Sequence, residues 1–180
     1  MTKGKATGEA REYQQHCRDV LIAREPQLEP YSGDGIDVEF DLGGTTWSID
    51  VALRHKQNGN VVIAECRRRN DAVQQEDLGA FAYKTELLRK SLSVPVAAFF
   101  IAKAAIQIGA VKASEFAEIW MALLDADATP PAFTIDFHRY DPKREKRYHE
   151  FAMHVPTASL GFHGQLAMVH IKAQPDKKDE

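Results

Sequence analysis

Two strand-forming runs, the largely apolar Trp47–Leu53 and the apolar Val61–Ala64, stand on either side of Gln57-Asn58-Gly59-Asn60. A bend of this composition between strand-forming runs dictates a β-hairpin, because asparagine and glycine both accept the positive φ that tight hairpin turns need. With Asn58 and Gly59 at the two central positions, the register pairs Gln57 with Asn60, Arg54 with Ile63 and Asp50 with Arg67. Side chains alternate between faces along a strand, so this register puts Asp50, Glu65 and Arg67 on one face within reach of each other.

Two carboxylates held together repel unless a cation sits between them. A hard divalent ion, Mg²⁺ or Mn²⁺, suits that position: it takes oxygen ligands from one or two carboxylates, with water and substrate phosphate completing the set. Asp50 and Glu65 are therefore candidate metal ligands, and the backbone carbonyl of Cys66 is a candidate third oxygen. Arg67 would stabilise charge developing on a phosphate. The bland reading is a surface hairpin with a weak Asp50–Arg67 cross-strand pair. Against it, Glu65 directly follows the apolar run Val61–Ala64, where burying a charge without function is expensive.

The flanking chain supplies an α/β frame. Thr7–Arg24 carries Tyr13, Cys17, Val20, Leu21 and Ile22 as a helical stripe, ended by Pro26 and Pro30. Ile36, Val38 and Phe40 alternate with Asp37, Glu39 and Asp41 as in a half-exposed strand, and Gly43-Gly44 turns the chain back. Asn70 and Asp71 offer N-cap chemistry for a helix over Ala72–Leu92. Val96–Ile101 reads as a strand buried on both faces, and the spacing from Ile106 to Leu124 predicts a further amphipathic helix. The order α-β-β-β-α-β-α implies a mixed sheet flanked by helices.

In this order of elements, Ile49-Asp50-Val51-Ala52 followed by Val62-Ile63-Ala64-Glu65-Cys66-Arg67 resembles the PD-(D/E)XK nuclease signature, in the form found in Mrr-like restriction endonucleases. Ile106-Gln107-Ile108-Gly109-Ala110 is similar to the segment that opens the last core helix of that group, and the likeness runs from about Glu9 to Trp120. It implies a restriction-endonuclease-like core and a Mg²⁺-dependent DNA endonuclease of restriction, defence or repair type, with Asp50 and Glu65 as metal ligands. Arg67 stands where the family usually has its catalytic lysine. Arginine keeps the charge but hardly deprotonates, so either Arg67 suffices, or Lys84 on the following helix takes the role, or cleavage has been lost and the chain is a DNA-binding or protein-interaction module. Glu12 or Glu9 on the first helix is a candidate additional acid. Arg68, Arg69, Gln74 and Gln75 are candidate DNA contacts.

Thr129-Pro130-Pro131 marks a boundary. The sequence divides into a core over 1–128, a C-terminal β-rich extension over 129–173, packed on the core or forming a homodimer interface, and a polar, disordered tail over 174–180. Phe133–Tyr140, Tyr148–Val155 and Gln165–Ile171 are the strands expected there. Five of the seven histidines lie in this part without a ligand spacing that suits zinc. A net charge of −3 argues against a protein that coats nucleic acid indiscriminately, although Arg67-Arg68-Arg69 and Lys143–Arg147 are local basic clusters. Two cysteines and no apolar run long enough for a bilayer predict a cytoplasmic protein without a membrane partner. A larger defence or repair complex is compatible with these features.

Overall fold

The structure, a computed structural model, describes residues 8–127 and the backbone of 132–136. Its elements are α1 (Gly8–Arg24), β1 (Leu28–Pro30), β2 (Ile36–Leu42), β3 (Thr45–His55), β4 (Val61–Arg67), α2 (Gln75–Ser91), β5 (Val96–Ala102), α3 (Ile108–Phe116), β6 (Ile119–Asp125) and β7 (Ala132–Asp136). The seven strands form one mixed sheet in the order β1-β3-β4-β5-β6-β7, with β2 also on β3. Helices lie on both faces, the α/β architecture expected from the sequence.

The long strand β3 organises the sheet. One of its edges is shared by β2, from Leu42↔Thr45 to Ile36↔Val51, and by β1, which pairs with Leu53–His55. Its other edge carries β4, and from there β4, β5 and β6 run parallel. β7 returns antiparallel to β6. Parallel strands of this kind need both faces covered. On one face α2 contributes Leu78, Phe81 and Leu88 to a core with Ile49, Ile63, Phe100 and Met121. On the other, Tyr13, Cys17, Val20 and Leu21 of α1 pack on Val51, Leu53, Ala64, Cys66, Ile101 and Leu124.

The hairpin carries the first correction. Gly43 and Gly44, at φ +62° and +76°, form the two-residue turn that needs positive φ twice. In the β3–β4 connection Gly59 has positive φ, at +72°, and Asn58 does not. Asn58 instead accepts the Asn60 N–H through its side chain at 2.9 Å. The loop closes with His55 N–H on the Asn60 carbonyl and Gly59 N–H on the His55 carbonyl. The register is therefore Arg54↔Val61 through Val51↔Ala64, two residues from the one expected, and Asp50 does not face Arg67. A slip of one residue would have inverted every side chain of β4, whereas a slip of two leaves each on its face.

Three further expectations change. β1 was not foreseen. α2 begins at Gln75, after Gln74, whose N–H is accepted by Asp77 at 3.1 Å, so Asn70 and Asp71 do not cap it. Residues between β4 and α2 instead form an extended bridge in which Val73 pairs with Ile106. The helix expected over Ile106–Leu124 ends at Phe116; Glu118 takes φ +54°, and Ile119–Asp125 is a strand parallel to β5. Of the C-terminal strands expected, β7 covers part of Phe133–Tyr140; Tyr148–Val155, Gln165–Ile171 and the tail over 174–180 lie outside the described residues.

Arg89 holds that helix-to-strand corner. Its guanidinium donates to the carbonyls of Val96 (3.3 Å), Ala117 (2.8 Å) and Glu118 (2.9 Å), so it ties α2 to the start of β5 and satisfies carbonyls at the end of α3. Arg89→Ala is expected to lower the unfolding free energy by about 2 kcal/mol, since charge-assisted hydrogen bonds to the part-buried Val96 and Ala117 carbonyls are lost. Urea unfolding monitored by circular dichroism checks this, and an unchanged midpoint would contradict it.

Tyr13 ties α1 to the sheet by donating its hydroxyl to the Leu124 carbonyl at 3.0 Å. Burial pushes its pKa well above the ordinary value of 10.0, with the neighbouring Cys17 and Cys66 thiols adding in the same direction. A pKa raised in the folded state means that the stabilisation is complete below the unfolded value and is lost as pH climbs beyond it. Above pH 10 the unfolding free energy should therefore fall by about 1.4 kcal/mol per pH unit from this group, and Tyr13→Phe should flatten the slope by that amount. Denaturation curves between pH 9 and 11 measure the difference.

Candidate metal and phosphate site

Asp50 interrupts the regularity of β3. Ile49 and Ala52 pack on the α2 side while Val51 and Leu53 pack on the α1 side, so the alternation breaks at Asp50, where a regular strand would put Ile49 and Val51 together. On β2, Asp37 has φ +51° between partners of Ile49 and Val51, which marks the same irregular row. The β3–β4 ladder also stops here, at Val51↔Ala64. The Cys66 N–H, just beyond that last pair, is taken by the Asp50 carboxylate at 2.8 Å. A side chain thus replaces a backbone acceptor where the two strands part, and Asp50 and Glu65 are the first residues past the final pair.

Both carboxylates are deeply buried, Asp50 at 3% and Glu65 at 2% exposure. β4 alternates without a break: Val61 and Ile63 face α2, Ala64 and Cys66 face α1. That phase turns Glu65 toward α2, where cations meet it. Arg67 Nη1 lies 2.9 Å from Glu65 Oε1, and Lys84 Nζ lies 3.3 Å from Glu65 Oε2 while also donating to the Ser48 carbonyl at 3.1 Å. Lys84 therefore bridges β3 and β4 from α2. The Arg67 guanidinium rests over the Phe100 ring at 6.0 Å, a cation–π arrangement, and its Nε is buried without an acceptor among the described residues. A shallow cleft lined by Arg67, Arg69, Asp71, Val73, Asp77 and Ala102 opens beside it.

The Cys66 thiol faces the opposite side, in the core with Cys17; burial pushes its pKa well up, and the Cys17 thiol and the negative charges of Asp50 and Glu65 add to the shift. It is a core thiol and not a thiolate ligand, so of Cys66 the backbone carbonyl is the atom with ligand chemistry.

The other candidates are placed differently. Glu9 and Arg68 form an ion pair, and Arg68 Nη2 lies 3.8 Å from Asp127, which is also paired with Lys103. Glu12 is exposed, and its charge acts on Arg68. Arg69 lies 3.8 Å from Asp77. Gln74 precedes α2, and the Gln75 side chain lies beside Gly109 at the start of α3. The buried polar residue of α1 is Gln14, whose amide donates to Asp37 at 3.1 Å. Sequence reasoning passed over it because an uncharged glutamine inside a helical stripe carries no signal of its own.

The donor set suits a hard divalent cation held by few protein ligands. Asp50 and Glu65 are buried oxygen donors, and among the described residues no group of three or more His, Cys, Asp or Glu side chains is arranged to hold a metal. Two carboxylates with the remaining positions left to water and phosphate would suit Mg²⁺ better than the fuller cage of Ca²⁺.

No family model and no curated protein sequence matches the chain. Among solved structures it is similar to EndoMS in an EndoMS-dsDNA2 complex, at 16% identity and TM-score 0.47 over 67% of this chain and 46% of that one. A repair endonuclease from Pyrococcus abyssi is similar at 17% identity and TM-score 0.44, over 67% and 48%. EndoMS in apo form gives 18% and 0.40, over 66% and 47%. The chain thus spans about half the length of these proteins. Among the described residues, no helix is long and apolar enough to cross a membrane.

Proposed function

We propose that the chain is a divalent-metal-dependent DNA endonuclease of the PD-(D/E)XK type, hydrolysing phosphodiester bonds in defence or repair. The observation that carries this reading is a pair of buried carboxylates, Asp50 and Glu65, at the point where β3 and β4 part, with Glu65 bracketed by Arg67 and Lys84. Asp50, Glu65 and the Cys66 carbonyl would hold Mg²⁺ or Mn²⁺, which supplies Lewis acidity and an activated water when bound. Lys84, fixed between the Ser48 carbonyl and Glu65, is the ammonium group that the signature lacks at position 67. It would orient the attacking water by donating a hydrogen bond to its oxygen, while Arg67, always charged, would neutralise the phosphate oxygens. Arg68, paired with Glu9, and Arg69, 3.8 Å from Asp77, would have to exchange those acids for flanking phosphates to contact DNA.

Plasmid DNA incubated with the protein and Mg²⁺ or Mn²⁺ tests the proposal, with Asp50→Ala as control. Cleavage by the native chain and none by the variant is expected, and equal cleavage by both would overturn it.

One feature favours a second reading, a non-cleaving DNA-binding or interaction module. Arg67 and Lys84 already neutralise Glu65, so a metal must compete with two cations for that carboxylate. Titration with Mn²⁺ separates the readings, because a catalytic site binds through Asp50 and Glu65 and a degenerate one does not.

A further inference from the structure

Lys84 and Ser48 each follow an aromatic residue in the chain, Tyr83 on α2 and Trp47 on β3. The two rings meet edge to face, with centroids 5.8 Å apart and planes at 64°. Trp47 is partly buried against the α2-side core, whereas Tyr83 is 59% exposed. The Trp47 indole N–H is buried with no acceptor among the described residues, a donor that is expensive to leave unmet. These features converge on one place: an exposed ring, propped by a fixed ring, next to the lysine that reaches Glu65.

A tyrosine exposed on a helix is often only a surface residue. Two things set Tyr83 apart. Its ring is steadied by Trp47, so a flat partner would meet a surface already ordered and would lose little entropy in ordering it. Its ring partner Trp47 precedes Ser48, whose carbonyl accepts from the Lys84 ammonium that also reaches Glu65, so the ring lies close to the candidate site. A partner that is flat, aromatic and joined to phosphate is a nucleotide. In a continuous duplex each base already has both π-faces covered by its neighbours, and the ring has nothing to stack on. An unpaired base has a face to offer.

We propose that Tyr83, backed by Trp47, is a stacking platform for an unpaired base, so that the preferred substrate is DNA with unpaired nucleotides at or beside the cleavage point. This rests on the nuclease reading and narrows its substrate class.

The test uses two oligonucleotide duplexes of one sequence, identical except that one contains a short unpaired bubble with 2-aminopurine in it and the other is fully paired. Binding is measured by anisotropy with Ca²⁺ in place of Mg²⁺ to suppress cleavage, and stacking is read from quenching of the 2-aminopurine emission. The native chain should bind the bubble roughly tenfold more tightly and quench its emission, in line with the usual contribution of one stacked base. Tyr83→Phe should keep both properties, and Tyr83→Leu, which retains apolar bulk without a π-face, should lose both while binding the paired duplex as before. Equal affinity of the native chain for the two DNAs would overturn the platform and leave the nuclease reading standing, as would a preference undiminished in Tyr83→Leu. No binding to either DNA would overturn both.

Discussion

Asp50→Ala and Asp50→Asn are expected to part company, the first losing stability and cleavage together and the second losing cleavage alone. Asp50 accepts the Cys66 N–H at 2.8 Å in a buried position where the β3–β4 ladder has already ended. Alanine leaves that N–H unmet, which costs about 1–3 kcal/mol. Asparagine keeps an oxygen at the same distance from the backbone and removes only the charge. A buried carboxylate that merely finishes a strand ladder would tolerate the exchange with little change in any property. One that holds a divalent ion would not: loss of a group that only orients a ligand typically lowers affinity or activity 10–100-fold, so loss of the ligand's charge should cost about a hundredfold or more. Urea unfolding, Mn²⁺ calorimetry and plasmid cleavage on the same two variants separate the contributions. Cleavage by Asp50→Asn at the native rate would remove Asp50 from the chemistry.

How far this site was legible follows from parity. The composition of the Asn-Gly bend fits the two-residue turn that Gly43-Gly44 in fact makes, and the β3–β4 register differs by two from the one that turn would set. Because the side-chain period of a strand is two, that difference moves partners along β4 without turning Glu65 or Arg67 over. The apolar run ending at Glu65 was informative for the same reason. A strand buried on both faces has no exposed phase in which to put a charge, so Glu65 had to be compensated, and Arg67 at i+2 and Lys84 on the covering helix do so.

What could not be read has equally physical causes. β1 is three residues that end on Pro30, too short for any periodicity, and exists because β3 is longer than β2 and leaves an edge to pair. The junction of α3 and β6 contains neither glycine nor proline. Glu118 adopts the positive φ that a glycine would have announced, and Ile119–Leu124, taken alone, fits a buried strand as well as a helix continued from Val111. Exposure exposes the error: Phe116, which the helical stripe would bury, is 93% exposed, whereas Met121 and Leu124 are in the core. The break of alternation at Asp50 was invisible for another reason. It is imposed by strands parting in three dimensions, and nothing in Ser48-Ile49-Asp50-Val51 encodes it locally.

Replacing Glu65 should have the largest effect on stability of any single change in the site. The carboxylate is the shared partner of Arg67, whose side chain is 24% exposed, and Lys84, whose side chain is 12% exposed. Glu65→Leu fits the apolar surroundings but strands both cations, and breaking a buried pair from one side typically costs about 3–5 kcal/mol. Adding Lys84→Met to Glu65→Leu should recover part of the loss, because the more deeply buried of the stranded charges is then gone and Arg67 retains its contact with the Phe100 ring. The double-mutant cycle in urea therefore has a definite sign: Lys84→Met destabilises the native chain and stabilises Glu65→Leu. Simple additivity would mean that the Lys84–Glu65 contact at 3.3 Å contributes nothing. Metal adds an independent check, since an ion that binds the folded chain raises its melting temperature with concentration. Mn²⁺ should raise the melting temperature of the native chain and of Lys84→Met, in which one competing cation has been removed, and leave Glu65→Leu and Asp50→Asn where they were. If it raises all four equally, the ion is bound elsewhere and the two carboxylates serve only the fold.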